Sequence, residues 1–234
     1  MLGLRRRKSC LVAVYNFYRY FIFYSGGHLF VKLSDSSSLQ YELLAKKPLY
    51  SGFFKLNRYR FRQQLFAGGW SQTFEREIFE RGHAVAVLLL DPDKEVIALV
   101  EQFRPGAVAT EENPWVLELV AGMIEKDELP EEVAKRETIE EAGCELLGLE
   151  KICEYLVSPG GSTERIWLYL GRVDSDKLSA NAGLLDEHED IRIHQLSVEK
   201  AFEQLDAGQF NNAMILIGLQ WLRINWPKKA QFWR

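Results

Sequence analysis

Cysteine is scarce in this chain. The three present, Cys10, Cys144 and Cys153, are odd in number and show no close pairing, which excludes a disulfide framework and a cysteine-based zinc site. Unpaired thiols suit a reducing compartment, so a cytoplasmic protein is expected. Histidine is also sparse. His28, His83, His188 and His194 show no ligand spacing and read as structural or surface residues, with His188 set apart only by the acidic loop around it. Basic charge is thin: the net charge is −4 and the one basic cluster is RRRK at residues 5–8, which excludes a dedicated nucleic-acid binder. A membrane-spanning run is missing as well. The apolar stretch at residues 11–24 is interrupted by Asn16 and Arg19, and a spanning helix needs roughly 20 apolar residues. No small-residue cleavage site clearly follows it, so residues 1–35 are expected to form an extension outside the fold, and no membrane partner is expected.

The chain does have one dense motif, GMIEKDELPEEVAKRETIEEAGC at residues 122–144. Its spacing predicts a helix over Pro130–Ala142. Proline suits the first helical position, Glu131 and Glu132 complement the helix dipole in the first turn, and Gly143 suits the C-terminal stop. On that helix Glu137 and Glu141 lie four apart and share a face, Glu140 is beside them, and Arg136 reaches Glu140 one turn on. Carboxylates packed this closely repel one another unless a hard divalent cation lies between them. Leu129 is a poor N-cap, so the helix start must be held by tertiary contacts.

The motif resembles the Nudix box, the signature of hydrolases that cleave a nucleoside diphosphate linked to another group. Gly122, Glu128, Arg136, Glu137, Glu140, Glu141 and Gly143 stand in register with it. Thr138 and Cys144 replace aliphatic residues and read as packing changes.

Around the motif, residues 41–80 read as strand-like, with apolar and polar residues alternating over Phe54–Phe61 and Ser51-Gly52 and Gly68-Gly69 as punctuation, predicting a small antiparallel β domain. Residues 84–91 and 95–103 predict a hairpin turning at Asp91-Pro92-Asp93. Further strands are expected at 152–157, 165–173 and 190–197, with helices at 198–205 and 212–225. Mixed strands with grouped helices predict an α/β sandwich. The expected domains are the 1–35 extension, the 36–81 β domain and an 82–234 catalytic domain.

Over about four-fifths of its length the chain is similar to the bacterial ADP-ribose pyrophosphatases. The segments LYSGFFKLNRYRFR, REIFERGHA, VEQFRPGA, LVAGMIE, SPGGSTER and LLDEHEDIR carry the likeness, as does Pro159, fifteen residues past Cys144. The resemblance implies a Nudix α/β/α sandwich with a mixed sheet, preceded by a small β domain that exchanges across a homodimer. It implies hydrolysis of ADP-ribose to AMP and ribose 5-phosphate with Mg²⁺, or with Mn²⁺ in its place. The metal ligands implied are Glu137, Glu141, Glu189 and the Ala121 carbonyl. Glu187 is implied as the general base, with Glu140 and Arg136 in the catalytic group. Arg104 is implied at the diphosphate or terminal ribose, Phe53 and Arg76 at the adenine, and Met123, Ser158 and Glu164 in the pocket wall.

Two other readings stay open on the sequence. One is a Nudix hydrolase of another nucleoside diphosphate sugar such as GDP-mannose. The other is a catalytically retired Nudix fold serving as a ligand sensor, which would be expected to lack box carboxylates or to carry an added DNA-binding domain.

Overall fold

The computed structural model describes residues 20–25, 28–33, 39–184 and 188–232. It divides into two compact units, one of residues up to Lys47 with Arg58–Arg76, the other Pro48–Asn57 with Glu77–Arg234.

The segment read as an extension contains two strands, β1 (Tyr20–Ser25) and β2 (His28–Leu33), paired antiparallel. Their sequences, YFIFYS and HLFVKL, are rich in the aromatic and branched residues that favour strands. Next come β3 (Tyr41–Ser51), β4 (Lys55–Gln63) and β5 (Phe74–Glu80), a separate small antiparallel sheet in the order β3-β4-β5. In the first unit Arg62 grips Glu42 through two bonds of 2.7 and 2.8 Å and stacks on Trp70.

The larger sheet is mixed and has eight strands. Strand β6 (His83–Asp91) pairs parallel with β11 (Arg165–Arg172) and is buried along nearly its whole length. A strand covered on both faces needs a continuous apolar run, and VAVLLL supplies it. At its far end β6 forms a tight hairpin with β7 (Val96–Phe103), and then the two strands separate. The residues WVLELVAGMI fill the gap. Trp115–Glu118 (β8) pairs with β7, the chain kinks at Leu119, and Val120–Ile124 (β9) pairs with β6. Strands β10 (Gly148–Leu156), β12 (Asn181–Ala182) and β13 (Ile191–Ser197) complete the order β10-β11-β6-β7-β13-β12.

Alternation along the strands creates two cores. Ala84, Ala86, Leu88 and Leu90 face helices α3 (Val198–Asp206) and α4 (Ala213–Phe232), packing with Ala201, Ile215, Leu219 and Leu222. Val85, Val87 and Leu89 face the box helix α2 (Pro130–Ala142), packing with Val133, Ala134 and Ala142. The result is helix, sheet, helix. A four-residue helix, α1 (Pro105–Val108), follows β7. No helix among the described residues is long and apolar enough to cross a membrane.

The hairpin turn after β6 is locked by Asp91, which is 3% exposed. Its carboxylate accepts from the backbone N–H of Asp93, Lys94 and Ser175 and from the Ser175 hydroxyl, at 2.6–3.1 Å. Burial works against the charge, but these bonds prevail and hold the carboxyl below its usual range. Asp91→Ala leaves four donors without their acceptor, so urea unfolding should show a loss of at least about 2 kcal/mol. A loss within experimental error would show that water replaces the carboxylate in full.

Candidate active site

Helix α2 begins and ends at the residues the motif predicts. Leu129 makes no side-chain cap, and the first turn is held instead by the Tyr169 hydroxyl, which donates to Glu131 at 3.0 Å. The helix stops at Gly143, whose left-handed φ of 69° suits glycine. The substituted box positions pack as expected. Thr138 is fully buried and returns its hydroxyl to the Ala134 carbonyl at 2.7 Å. Cys144 is buried among the residues around α2, and burial pushes its thiol up to about 11.

The decisive contact is between α2 and β9. A Cβ placed on Gly122 would lie 1.8–2.4 Å from Glu137 side-chain atoms, so the Glu137 carboxylate rests directly on bare backbone. One turn on, Glu141 is 2% exposed and accepts the Ala121 N–H at 2.9 Å. Arg136 forms the other boundary. Its guanidinium donates to Glu137 at 2.8 Å and Glu140 at 3.1 Å and pairs with Glu128 at 3.5 Å. Glu128 in turn accepts the Glu125 N–H at 2.8 Å and closes the loop before the helix.

Glu189 joins this group from the loop after β12. The Gly183 N–H donates to the Glu140 carbonyl and the Glu189 N–H to the Leu184 carbonyl, which ties the loop to the end of α2. From there the Glu189 charge acts on both Glu137 and Glu141. The expected base, Glu187, lies outside the described residues.

Burial and mutual repulsion make these carboxylates hard to ionise. Burial raises Glu137 to about 7 against the opposing charge of Arg136. It raises Glu141 to about 8 against the bond from Ala121, with Glu137 and Glu189 reinforcing the rise. Among the described residues no three of His, Cys, Asp and Glu close into a ready coordination shell. Glu137 is turned to Arg136 and Glu141 to a backbone N–H. The donor set still fits a hard divalent cation, because a cation would relieve both the burial and the repulsion that raise the two groups.

The remaining expected residues fall in separate places. Arg104, at the end of β7, donates through Nε to Glu118 at 2.5 Å, and its charge reaches Glu141. Phe53 is 83% exposed and lies edge-to-face with Phe54. It lines a cleft with Lys55, Arg81, His83 and Thr163. Glu164 is buried in an ion pair with Arg81 at 2.9 Å, and Arg81 also covers the Phe54 ring. Met123 lies beside Gly82, paired with Ala84 on the opposite face from Gly122. The Ser158 carbonyl accepts the N–H of Gly161 and Ser162 and closes the SPGG turn. Arg76 belongs to the other compact unit, where it lies over Phe74. Sequence reasoning missed Glu118 and Arg81. The signal for Glu118 was present, a single charge in the apolar run WVLELV.

Compared with known proteins, the sequence matches the NUDIX domain over residues 80–215. The chain belongs to the Nudix family. Its relatives include the ADP-ribose pyrophosphatase of Escherichia coli strain K12, 46% identical over 82% of this chain and 92% of that protein. The ADP-ribose pyrophosphatase of Haemophilus influenzae is 43% identical over 87% and 95% respectively. The GDP-mannose pyrophosphatase of Enterobacter sp. strain 638 is more distant, 32% identical over 80% and 97%. Nudix hydrolases in general need a divalent metal, and the acid-rich seam between α2 and β9 has the chemistry to hold one.

The raised carboxyls set the sign of a pH effect. An unfolded glutamate titrates near 4.5, whereas folded Glu141 holds its proton up to about 8. Over that window the folded state binds more protons, so the metal-free protein should lose thermal stability as pH rises. Glu141→Gln should flatten the slope, and a divalent cation should offset it by binding the ionised folded form. A wild-type melting temperature that climbs over this window, with Glu141→Gln unchanged, would show that the two carboxylates are not buried together in solution.

Proposed function

We propose that this Nudix protein is a Mg²⁺-dependent ADP-ribose pyrophosphatase, adding water across the diphosphate to give AMP and ribose 5-phosphate. The observation that carries the reading is the buried carboxylate seam beside Arg104, which combines a place for a divalent cation with a cationic side chain for the diphosphate. Relatives of 43–46% identity, matched over nearly their whole length, bear that name and support it. All box carboxylates are present, which disfavours a retired sensor.

In this reading Glu137, Glu141, Glu189 and the Ala121 carbonyl would hold Mg²⁺, or Mn²⁺ in its place. The cation would neutralise the diphosphate and acidify the attacking water. Arg136 keeps Glu137 and Glu140 fixed on the helix, and Arg104 offers its guanidinium to phosphate oxygens. Glu187 takes the proton from water. Phe53 and Arg76 border the adenine, while Met123, Ser158 and Glu164 shape the pocket. The long edge strand β3 exposes Tyr41, Leu43, Leu44 and Tyr50. An exposed apolar edge of this kind supports a homodimer, since a lone one invites aggregation. The free thiols of Cys144 and Cys153 suit the cytoplasm.

The test is hydrolysis of ADP-ribose, GDP-mannose and NADH side by side, with and without Mg²⁺. ADP-ribose should be turned over best, and only with metal. Preference for GDP-mannose would move the enzyme to the other branch of its relatives. Glu137→Gln and Glu141→Gln should weaken Mg²⁺ binding as well as turnover. Glu187→Gln should leave Mg²⁺ binding intact and lower kcat by roughly a hundredfold or more. A Glu187→Gln enzyme within a fewfold of wild type would take the base out of this loop. Sedimentation should give a dimer, and a monomer at assay concentration would remove the exchanged-domain arrangement.

A further inference from the structure

Glu118 is a carboxylate in the wrong place for stability. It ends β8 in the run WVLELV, its side chain is 10% exposed, and Val100, its partner across the strand pair, is buried in the core around α2. Taking a carboxylate out of water is costly even when its partner, here an Arg104 side chain 38% exposed, stays at the surface, and a well-packed apolar residue of similar volume serves a fold as well or better. The pair therefore calls for a reason beyond folding.

The geometry supplies one. Arg104 spends Nε on Glu118 at 2.5 Å, and among the described residues no acceptor is recorded for its two terminal nitrogens. A guanidinium anchored through Nε, with both terminal nitrogens unspent, presents a fixed fork to an anion. Arg104 and Glu118 also line an open cleft of about 410 Å³, so the fork can be reached. Each partner is held independently. The Arg104 N–H donates to the Pro114 carbonyl at 2.7 Å. Asn212 donates to the Leu117 carbonyl at 2.8 Å and accepts the Ile215 N–H, pinning β8 next to Glu118 at the start of α4. Arg104 also lies within electrostatic reach of Glu141. Without Glu118, its guanidinium would be drawn to the other carboxylates in reach, Glu112 in the same cleft and Glu141 in the acidic seam.

We propose that Glu118 is a positioning residue. It holds Arg104 away from the carboxylates of α2 and aims its terminal nitrogens at a substrate phosphate. This rests on the reading of the seam as a diphosphate site, but not on which nucleoside the substrate carries.

A double-mutant cycle tests it, reading binding of inorganic pyrophosphate and of α,β-methylene ADP-ribose by calorimetry in the presence of Mg²⁺. Glu118→Gln, which keeps the shape, should weaken both probes about tenfold, as should Arg104→Gln. The double variant should bind no worse than Arg104→Gln alone, because Glu118 acts only through Arg104. In turnover, Glu118→Gln should raise KM more than it lowers kcat. Arg104→Lys keeps both charges but has no planar fork, so it should lose affinity too, and it serves if Glu118→Gln fails to fold. The proposal is overturned if Glu118→Gln binds pyrophosphate like wild type, or weakens it equally with and without Arg104. It is overturned as well if Arg104→Lys is silent. A wild type that prefers GDP-mannose to ADP-ribose would defeat the substrate assignment and leave the pyrophosphate cycle to judge Glu118.

Discussion

Helix α2 lays its Glu137 side chain so close to strand β9 that a Cβ on residue 122 would overlap the carboxylate. The rest of the site depends on that closeness. It lays Glu137 on bare backbone and lets Glu141 take the Ala121 N–H, so Glu141 is buried and the Glu137 side chain is only 12% exposed. The seam itself follows from the kink at Leu119, which carries the chain from the edge of β7 to the edge of β6 and brings β9 under the helix. A straight strand paired along β7 would have left residue 122 elsewhere.

Burying two acids side by side opposes folding, and the raised carboxyls record the cost. The surrounding network limits it without removing it. Arg136 is shared among Glu128, Glu137 and Glu140, so its single positive charge is spread over three negative ones. Glu189 adds a further negative charge from the loop after β12. The local balance remains negative, and that makes the site receptive to a cation before any anionic substrate arrives. An acidic protein with a net charge of −4 can in this way act on a diphosphate.

The box helix was legible in the sequence to the residue, because proline, acidic and glycine signals at its two ends agree with the carboxylate spacing inside it. The sandwich was legible from strand alternation and the two late helices. The division of WVLELVAGMI into two strands was not. Apolar periodicity gives a strand but does not say when it changes neighbour, and that depends on where β6 and β7 part. Residues 1–35 read as an extension because the apolar run is short and interrupted by polar residues; two short strands that pair with each other, β1 and β2, lie within it, and nothing in local spacing announced their pairing. Partnerships across long sequence distances, such as Arg81 with Glu164 or Tyr169 with Glu131, leave no trace in local spacing.

Parity connects the legible part to the part that was missed. Side chains on a strand alternate faces, so once Val85 and Val87 are known to face α2, Gly122 opposite Val85 must face it too. The same rule puts Val100 on that face, and with it Glu118. Two residues beyond Val100 comes Gln102, and two beyond that Arg104, whose extended backbone continues the alternation. The chain thus brings an arginine and a carboxylate to the catalytic face from two different strands, within one ion pair of each other. Any single-residue slip between β7 and β8 would turn Glu118 to the opposite core, where the apolar Leu99 and Leu117 pack. Register, set by apolar residues, therefore also sets where the charge at this site stands.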